Sequence, residues 1–377
     1  MKKINLFLIF IASFIFLRMA SGNKKESNIK LRVAVFRGTG LVLTNTDGFN
    51  VLYPKENNRN AGFPNRVNIF FKEGRLFLED KEITNPVIFK SREDDRIKVG
   101  DNIYRGDVEI RLEEDNLVAV NEIPLEEYLF SVVGGEIYPS WPMEVLKAQA
   151  VAARTYALYQ YEKNKDKTYQ MESSVDSQRY IGIAGENKNV NKAVLETKGI
   201  VMTYHNNLIQ AFFHSTCGGR TEDVNSLWPG NNLPYLESKI CSFCRDAVNY
   251  NWKFTITKSD LEKILSTDEN FGGKLRSLKI AKLTRTGRVS ELVFQTSYGD
   301  KKINVSDFRK WIGQDKIKST LFKTDFKKDK YIFTGRGSGH GVGLCQEGAK
   351  TLAVKKYRYD KILKFYYPGI KIEKYSL

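Results

Sequence analysis

Glu136 is the side chain in this sequence that is best suited to general acid catalysis. It follows two glycines, which allow a tight backbone turn, and its apolar neighbours are Val133, Ile137 and Tyr138. An apolar setting disfavours the carboxylate and raises the pKa, so that a glutamic acid can protonate a glycosidic oxygen near neutral pH. The alternative is a glutamate that is simply solvated beside a turn.

Two short motifs carry side chains that bind metals. His214 and Cys217 form an HxxC motif, and Cys241 and Cys244 form a CxxC motif. This spacing suits a tetrahedral zinc ion, and four protein donors leave no open position, so such an ion would be structural and not needed for the chemistry. A disulfide, for example between Cys217 and Cys244, is an alternative. Cys345 is the alternative to His214 as fourth ligand.

A glycine stands at every second position of residues 335–343, around His340. The pattern matches neither of the glycine motifs that bind nucleotides, so a nucleotide site is not indicated. Alternating glycines allow the backbone to approach a ligand or another loop closely. The alternative is a structural turn that contains a buried histidine.

The elements that must position these residues indicate an α+β fold: a β-rich chain in several parts, with a central helix-containing core and a small inserted α/β subdomain. A helix is predicted after Glu136, with Ser140 as N-cap and Pro142 in the first turn. Its small apolar face consists of Leu146, Ala150, Ala153 and Ala157. Residues 255–320, with a charged helix and two strands, form the predicted insertion, and a last helix is expected at 345–353.

The N-terminal residues indicate export. Residues 1–22 combine Lys2 and Lys3 with an apolar run that is short for a membrane span, which predicts a signal peptide or, alternatively, an N-terminal anchor. Short alternating strands over residues 23–120 predict a β-domain without a catalytic role. The net charge of +16 would suit nucleic acid, but an exported chain rarely meets it. We interpret the charge as affinity for an anionic envelope polymer or membrane surface; the alternative is that most of the lysines simply solvate the surface.

Several blocks of sequence together resemble the stage II sporulation protein D family, also called the SpoIID/LytB domain. The resemblance spans residues 122–375 and defines the predicted catalytic region, 121–377. It rests on the segments GEIYP at 135–139, WPMEVLKAQAVAARTY at 141–156, DSQRYIG at 176–182, FHSTCGGRTE at 213–222, PYL at 234–236, GRGSGHGVGLCQEGA at 335–349 and ILKFYYPG at 362–369.

The resemblance implies a lytic transglycosylase, a lyase that cleaves peptidoglycan glycan strands between N-acetylmuramic acid and N-acetylglucosamine and leaves 1,6-anhydro ends. The carboxyl that aligns with the family's acid is Glu136. Because the C6 hydroxyl of the sugar is the nucleophile, one carboxyl can serve as acid and then as base. By the family pattern, the residues that line or brace the glycan groove would be Lys147, Arg154, Gln178, Tyr180, His340 and Gln346.

Two other functions remain as alternatives. The first is a non-catalytic wall-binding protein that enhances an N-acetylmuramoyl-L-alanine amidase. The second is a hydrolase that uses water, with Asp176 or Glu222 as second carboxylate. All three place the protein outside the cytoplasm, in the cell envelope or on the periplasmic side of the cytoplasmic membrane. Some relatives have metal ligands just before the segment that matches 178–180, but residues 173–177 contain neither Cys nor His.

Overall fold

The computed structural model describes residues 29–56, 59–93, 95–173, 177–266, 271 and 273–375. The predicted export segment, 1–22, lies outside these ranges. Among the described residues, no helix combines the length and apolar character needed to span a membrane. The fold is a mixture of helices and sheets, which confirms the predicted α+β class.

The N-terminal third is built from two antiparallel sheets that share one core. In several of the strands alternate residues are buried, for example Val67 and Ile69, as expected for strands with one buried face. The strands are β1 (Lys30–Gly38), β2 (Gly40–Thr44), β3 (Phe49–Tyr53), β4 (Arg59–Phe63), β5 (Arg66–Lys72), β6 (Arg75–Leu78), β7 (Lys81–Ile83), β8 (Val87–Ser91), β9 (Arg96–Val99), β10 (Asn102–Arg105), β11 (Asp107–Glu113) and β12 (Asn116–Pro124).

A helical layer follows directly and continues the same core. It begins with α1 (Leu125–Glu136) and α2 (Met143–Lys163) and continues with β13 (Met171–Glu172), α3 (Lys188–Glu196), β14 (Ile200–Tyr204), β15 (Asn207–Leu208), β16 (Phe213–His214) and α4 (Val224–Leu227). The short strand β13 pairs with β1, so the first seven-stranded sheet has the order β13-β1-β12-β11-β8-β3-β4. The second sheet has the order β10-β9-β2-β5-β6-β7.

Helix α2 lies at the centre of this layer and contacts α1 and α3. All four residues of its predicted apolar face are buried. Small side chains allow the neighbouring helices to approach closely, which explains the alanine-rich sequence. The helix begins later than predicted, because Pro142 and not Ser140 is its N-cap.

The next region has a hydrophobic core of its own, formed by buried residues between Trp252 and Phe333. Its elements are β17 (Asn251–Thr257), α5 (Lys258–Leu265), β18 (Leu275–Leu283), β19 (Val289–Thr296), β20 (Gly299–Asn304), α6 (Val305–Ile312), β21 (Phe322–Lys327) and β22 (Lys330–Arg336). They form two three-stranded sheets, β17-β22-β21 and β18-β19-β20. We call residues 251–336 the second-core region.

The chain then returns to the first core. Its last elements are β23 (Leu344–Cys345), α7 (Gln346–Val354), α8 (Tyr359–Tyr366) and β24 (Lys371–Lys374). Strand β23 pairs in parallel with β16, and β24 pairs with β14. Helices α7 and α8 both pack on α2. The C-terminal residues therefore close the helical layer around α2.

Candidate active site

Glu136 is the last residue of α1, and the glycines before it are required by close packing. A Cβ atom on Gly134 would lie 1.9 Å from the carbonyl oxygen of Gly185, and one on Gly135 would lie 2.7 Å from that of Arg179. Only glycine lets the last turn of α1 rest on this neighbouring backbone. The contact brings the backbone N–H of Arg179 to Glu136, where it donates a hydrogen bond of 2.9 Å to Oε1.

The Glu136 carboxyl is half-buried, and its surroundings favour the protonated form. Burial raises the pKa of Glu136 above the ordinary glutamate value, while hydrogen bonds from the Arg179 backbone and the Gln346 side chain and the Arg179 charge oppose that shift. The C-terminal end of a helix carries partial negative charge, which also disfavours a carboxylate. Tyr138 was expected to shield the carboxyl, but its side chain is 69% exposed. The other two residues of the predicted apolar setting, Val133 and Ile137, are buried.

The Glu136 side chain lines a cavity of about 480 Å³ between the helical layer and the second-core region. Among the described residues, Glu136 is the one carboxylic acid in its lining. The core contributes aromatic and histidine side chains, and α6 with the turn after it contributes polar and basic ones. The lining residues are Glu136, Tyr156, Ser177, Ala211, Phe212, Phe213, His214, Leu227, Trp228, Ser306, Arg309, Lys310, Gln314, Thr320, Gly339 and His340.

The glycine segment around His340 packs against residues 212–218 and so places the imidazole in the cavity. Gly339 has φ +95°, and a Cβ there would lie 2.9 Å from Cβ of His214; one on Gly343 would lie 2.1 Å from the Phe212 carbonyl oxygen. His340 Nδ1 accepts a hydrogen bond from the Val342 N–H, and Nε2 lies 2.8 Å from the Phe213 carbonyl oxygen. Nε2 therefore carries the proton.

The environment keeps His340 neutral. Burial lowers its pKa to about 4, with a further contribution from the charges of Arg288 and Arg309, although the hydrogen bond to Phe213 opposes the shift. The ring lies 5.6 Å from that of Trp228 and 5.5 Å from that of His214 between centroids. His340 is thus a fixed, uncharged part of an aromatic wall, and it does not act as a cation there.

A second cavity, of about 630 Å³, meets the first at Tyr156 and Ser177. It lies between β13, the end of α2 and the edge of the first sheet, and its lining includes Gln160, Tyr169 and Glu172. The two cavities are lined by residues next to one another along α2. Together they offer more room than one sugar unit requires.

Gln346 is one of two predicted groove residues that the structure brings to this site, together with His340. Its side-chain amide Nε2 donates to Oε1 of Gln149 at 3.5 Å, and its polar side chain lowers the pKa of Glu136. It is the first residue of α7, so its position depends on how that helix begins. Gln346 therefore influences the Glu136 carboxyl without lining the cavity itself.

Arg154 was predicted to bind substrate, but it is an internal brace. Its side chain is fully buried, and its guanidinium donates to both Glu126 oxygens at 2.9 and 2.6 Å. It also donates to the Val194 carbonyl oxygen, which ties α1, α2 and α3 together. Lys147, seven residues earlier on α2, pairs with Glu196 at 2.7 Å and lines neither cavity. Lys147 and Arg154 are thus both directed at neighbouring helices.

Gln178 and Tyr180 were also placed in the groove by prediction, and both are buried in the core. The Gln178 side chain accepts a hydrogen bond from the Tyr128 hydroxyl at 3.0 Å. The Tyr180 hydroxyl donates to Asn121 at 2.6 Å, and its ring packs 4.9 Å from that of Tyr128. These residues fix the segment that carries Arg179, so they support the site from behind.

The structure does not support the hypothesis that Glu222 is the second carboxylate of a hydrolase. Glu222 is 1% exposed and accepts hydrogen bonds from the hydroxyls of Thr284 and Thr286. It lies 3.9 Å from the buried Arg288 guanidinium. These hydrogen bonds attach the Glu222 carboxylate to the second-core region. Asp176, the other candidate, lies outside the described residues.

The four cysteines lie together, and this corrects the predicted ligand set. The Sγ atoms of Cys217, Cys241, Cys244 and Cys345 are all within 4.8 Å of one another, and all four residues are buried. His214 is not part of the group, because its Nδ1 lies 3.0 Å from the Val342 carbonyl oxygen and its ring lines the cavity. The alternative set with Cys345 is therefore the one that the fold assembles.

Sequence reasoning missed several residues of the cavity wall. Trp228 is 38% exposed and lies 4.8 Å from Phe212 between ring centroids. Lys310 is an exposed cation on α6. Trp228 could have been recognised as a candidate, because it is an aromatic residue between the HxxC and CxxC motifs. Lys310 carried none, since nothing in the sequence indicates that α6 returns to the site.

Comparison with known proteins identifies two family matches along the chain. Residues 113–204, which include α1 and α2, match the family described as Stage II sporulation protein. Residues 243–343, which include the second-core region, match a domain of unknown function (DUF8618). Each match therefore includes some of the residues that line the Glu136 cavity, and the lining residues between Ala211 and Trp228 lie outside both.

Several relatives match most of the chain. An uncharacterized protein of Brachyspira hyodysenteriae is 32% identical over 81% of this chain and 82% of its own length. The amidase enhancer of Bacillus subtilis is 30% identical over 66% of this chain, but the match covers 40% of that protein. Stage II sporulation protein D of Bacillus subtilis is 31% identical over 67% of this chain and 76% of its own length. This chain therefore belongs to the stage II sporulation protein D family.

Proposed function

We propose that this protein is a lytic transglycosylase that cleaves peptidoglycan glycan strands between N-acetylmuramic acid and N-acetylglucosamine, with Glu136 as acid and base. The observation that carries the proposal is the cavity: Glu136 is the single carboxylic acid among its described lining residues, and burial raises the pKa of that carboxyl. A site with a single carboxyl, whose pKa is raised, favours a reaction in which the substrate supplies its own nucleophile.

In this reaction Glu136 first donates a proton as an acid and then takes up a proton as a base. The protonated carboxyl donates to the glycosidic oxygen, and the bond from that oxygen to C1 of N-acetylmuramic acid breaks. The C6 hydroxyl of the same sugar attacks C1 and forms the 1,6-anhydro bond. The Glu136 carboxylate takes the proton that this hydroxyl loses, so the acid is regenerated without water. Holding C6 near C1 replaces a second catalytic carboxylate.

The rest of the cavity suits a sugar that carries a carboxylate. Trp228 and Phe212 offer apolar ring faces on which a pyranose can pack. Lys310 is an exposed ammonium group in the same lining, and it is a suitable partner for the lactyl carboxylate of N-acetylmuramic acid. The second cavity, which meets the first at Tyr156 and Ser177, provides room for the next sugars of the strand.

The test is product analysis of purified sacculi after digestion with wild type and with Glu136→Gln. We expect wild type to release fragments with anhydro ends, each lighter by one water than a reducing end, and the variant to lose at least about 100-fold in rate. Products with reducing ends would instead identify a hydrolase.

Glu127→Gln is the matched control, because Glu127 is a partly buried glutamate of the same helix that lines neither cavity. It should keep wild-type activity. Glu136→Gln should fold normally, since burial disfavours the ionised carboxyl and a neutral amide removes that penalty. Release of anhydro fragments by Glu136→Gln at the wild-type rate would refute the assignment.

A second candidate is suggested by the similarity to the amidase enhancer. In that case the protein would bind the wall and stimulate a wall amidase without cutting glycan. Stimulation of a purified amidase that persists in Glu136→Gln, together with no anhydro product from wild type, would favour this function. Stimulation that disappears in Glu136→Gln would instead follow from glycan cleavage.

A further inference from the structure

The four buried cysteines lie outside the Glu136 cavity, and their arrangement suits a metal ion. The Sγ atoms of Cys217 and Cys244 are 3.4 Å apart, and all pairs in the group lie within 4.8 Å. A tetrahedral zinc ion with Zn–S bonds of about 2.3 Å requires sulfur atoms roughly 3.8 Å apart. The group therefore has the size of a zinc-thiolate site with all four positions filled by protein.

Hydrogen-bond donors are already directed at the sulfur atoms. The backbone N–H of Cys217 donates to Cys345 Sγ at 3.2 Å, and the Tyr366 hydroxyl lies 3.3 Å from Cys241 Sγ. Donors of this kind stabilise metal-bound thiolates. A Cβ on Gly348 would lie 3.0 Å from Cys241 Sγ, so α7 also packs closely on the group.

A buried cation beside the group provides independent support. Arg288 is 2% exposed and donates to the Cys217 carbonyl oxygen at 2.7 Å. Glu222 lies 3.9 Å away, and Nη1 has no hydrogen-bond partner among the described residues. Buried charges need compensation. A zinc ion with four thiolates would carry net charge −2, and the Arg288 guanidinium would offset part of that charge.

We infer that Cys217, Cys241, Cys244 and Cys345 bind one structural zinc ion. The ion would join the loop that carries Trp228 to the start of α7, because Cys217 and Cys241 flank that loop and Cys345 is the N-cap of the helix. Four protein ligands leave no open position, so the metal has no part in the chemistry of Glu136. The inference does not rest on the proposed function, and its test does not use glycan.

The first experiment uses the wild-type full-length chain, purified without added metal. We expect about one equivalent of zinc by elemental analysis and four alkylatable thiols under non-reducing, denaturing conditions. Replacement with Co²⁺ should give the visible absorption of a tetrahedral thiolate site. Two disulfides without metal would overturn the inference, and iron in place of zinc would overturn the choice of metal.

The second experiment compares ligand variants. Cys345→Ser should lose zinc and show a lower Tm, whereas His214→Gln should keep a full equivalent, which separates the two possible ligand sets. Tyr366→Phe should fold and bind zinc about tenfold more weakly, because one hydrogen bond to a ligand sulfur is removed. Zinc loss in His214→Gln with retention in Cys345→Ser would refute the four-cysteine site.

Discussion

Only a few interactions determine the pKa of the Glu136 carboxyl. Burial raises the pKa of this carboxyl, and the hydrogen bonds from Arg179 and Gln346 lower it. A general acid must be protonated before the reaction, so kcat/KM should fall as pH rises through the raised pKa. The alkaline limb of the pH profile therefore reports on the surroundings of this residue.

Removal of the Gln346 amide should move that limb. In Gln346→Ala the carboxylate loses a hydrogen bond that favours it, so the pKa of Glu136 rises further and activity persists to higher pH. The measurement is kcat/KM against pH on purified glycan. Gln314→Ala, in which an exposed amide of the cavity lining is removed, should leave the limb in place. An unchanged limb in Gln346→Ala would contradict the contact.

At the scale of elements, α2 supports the site chiefly through the Arg154–Glu126 pair. Truncation of Arg154 leaves Glu126 partly buried without its cation, which costs about 3–5 kcal/mol in such pairs. We expect Arg154→Ala to lower the free energy of unfolding by that amount, measured by urea denaturation. Lys147→Ala should lose less than about 1 kcal/mol, because its pair with Glu196 is partly exposed. A folded Arg154→Ala protein with only a raised KM would instead indicate a substrate ligand.

The last turn of α1 makes a second testable contact. A methyl group at Gly134 would overlap the Gly185 carbonyl oxygen, so Gly134→Ala should destabilise the protein by about 3 kcal/mol and displace Glu136. Thermal unfolding and glycan cleavage measure the two effects. Gly40→Ala is the control, since no atom lies closer than 3.9 Å to the added carbon. Equal Tm values for both variants would contradict the packing.

The sequence predicted elements better than it predicted the roles of their polar residues. Helix α2 was predictable because alanines and leucines recur with helical spacing, and the glycine segment because its alternation suits close backbone contact. By the family pattern Arg154 and Lys147 were expected to line or brace the groove, but a sequence motif does not show what packs against their helix face. Gln178 and Tyr180 were expected in the same role, and the structure places them behind the site, because a polar group buried by tertiary contacts looks the same in sequence as one that binds a ligand.

At the scale of the whole molecule, the net charge of +16 predicts salt-dependent attachment to the wall. The Debye length, beyond which charges are largely screened by salt, falls from about 10 Å at 0.1 M salt to about 3 Å at 1 M. Binding of the inactive Glu136→Gln variant to sacculi should weaken by about tenfold over that range, as measured by sedimentation. Binding that is insensitive to salt would show that cavity contacts, and not charge, hold the protein on the polymer.

Whether a cavity residue could be predicted from the sequence depended on whether a local pattern or a long-range contact places it in the cavity. Glu136 and His340 stand in recognisable local patterns, and both line the cavity. Lys310 and Arg309 reach it only because α6, almost 175 residues after Glu136 in sequence, packs over the opening. Such long-range contacts leave no local signal. Cys345 was foreseen only as a substitute ligand because it lies about 100 residues from the CxxC motif.

The construction of the cavity from two separately packed regions has an evolutionary consequence. The acid and the aromatic wall belong to the first core, whereas Ser306, Lys310 and Gln314 belong to residues with another core. Under the proposed function, exchange of that segment between related genes would alter which chemically modified strands are accepted, while the proton donor stays intact. On that proposal the residues that break the bond and the residues that select the strand belong to different regions, so each set can diversify independently.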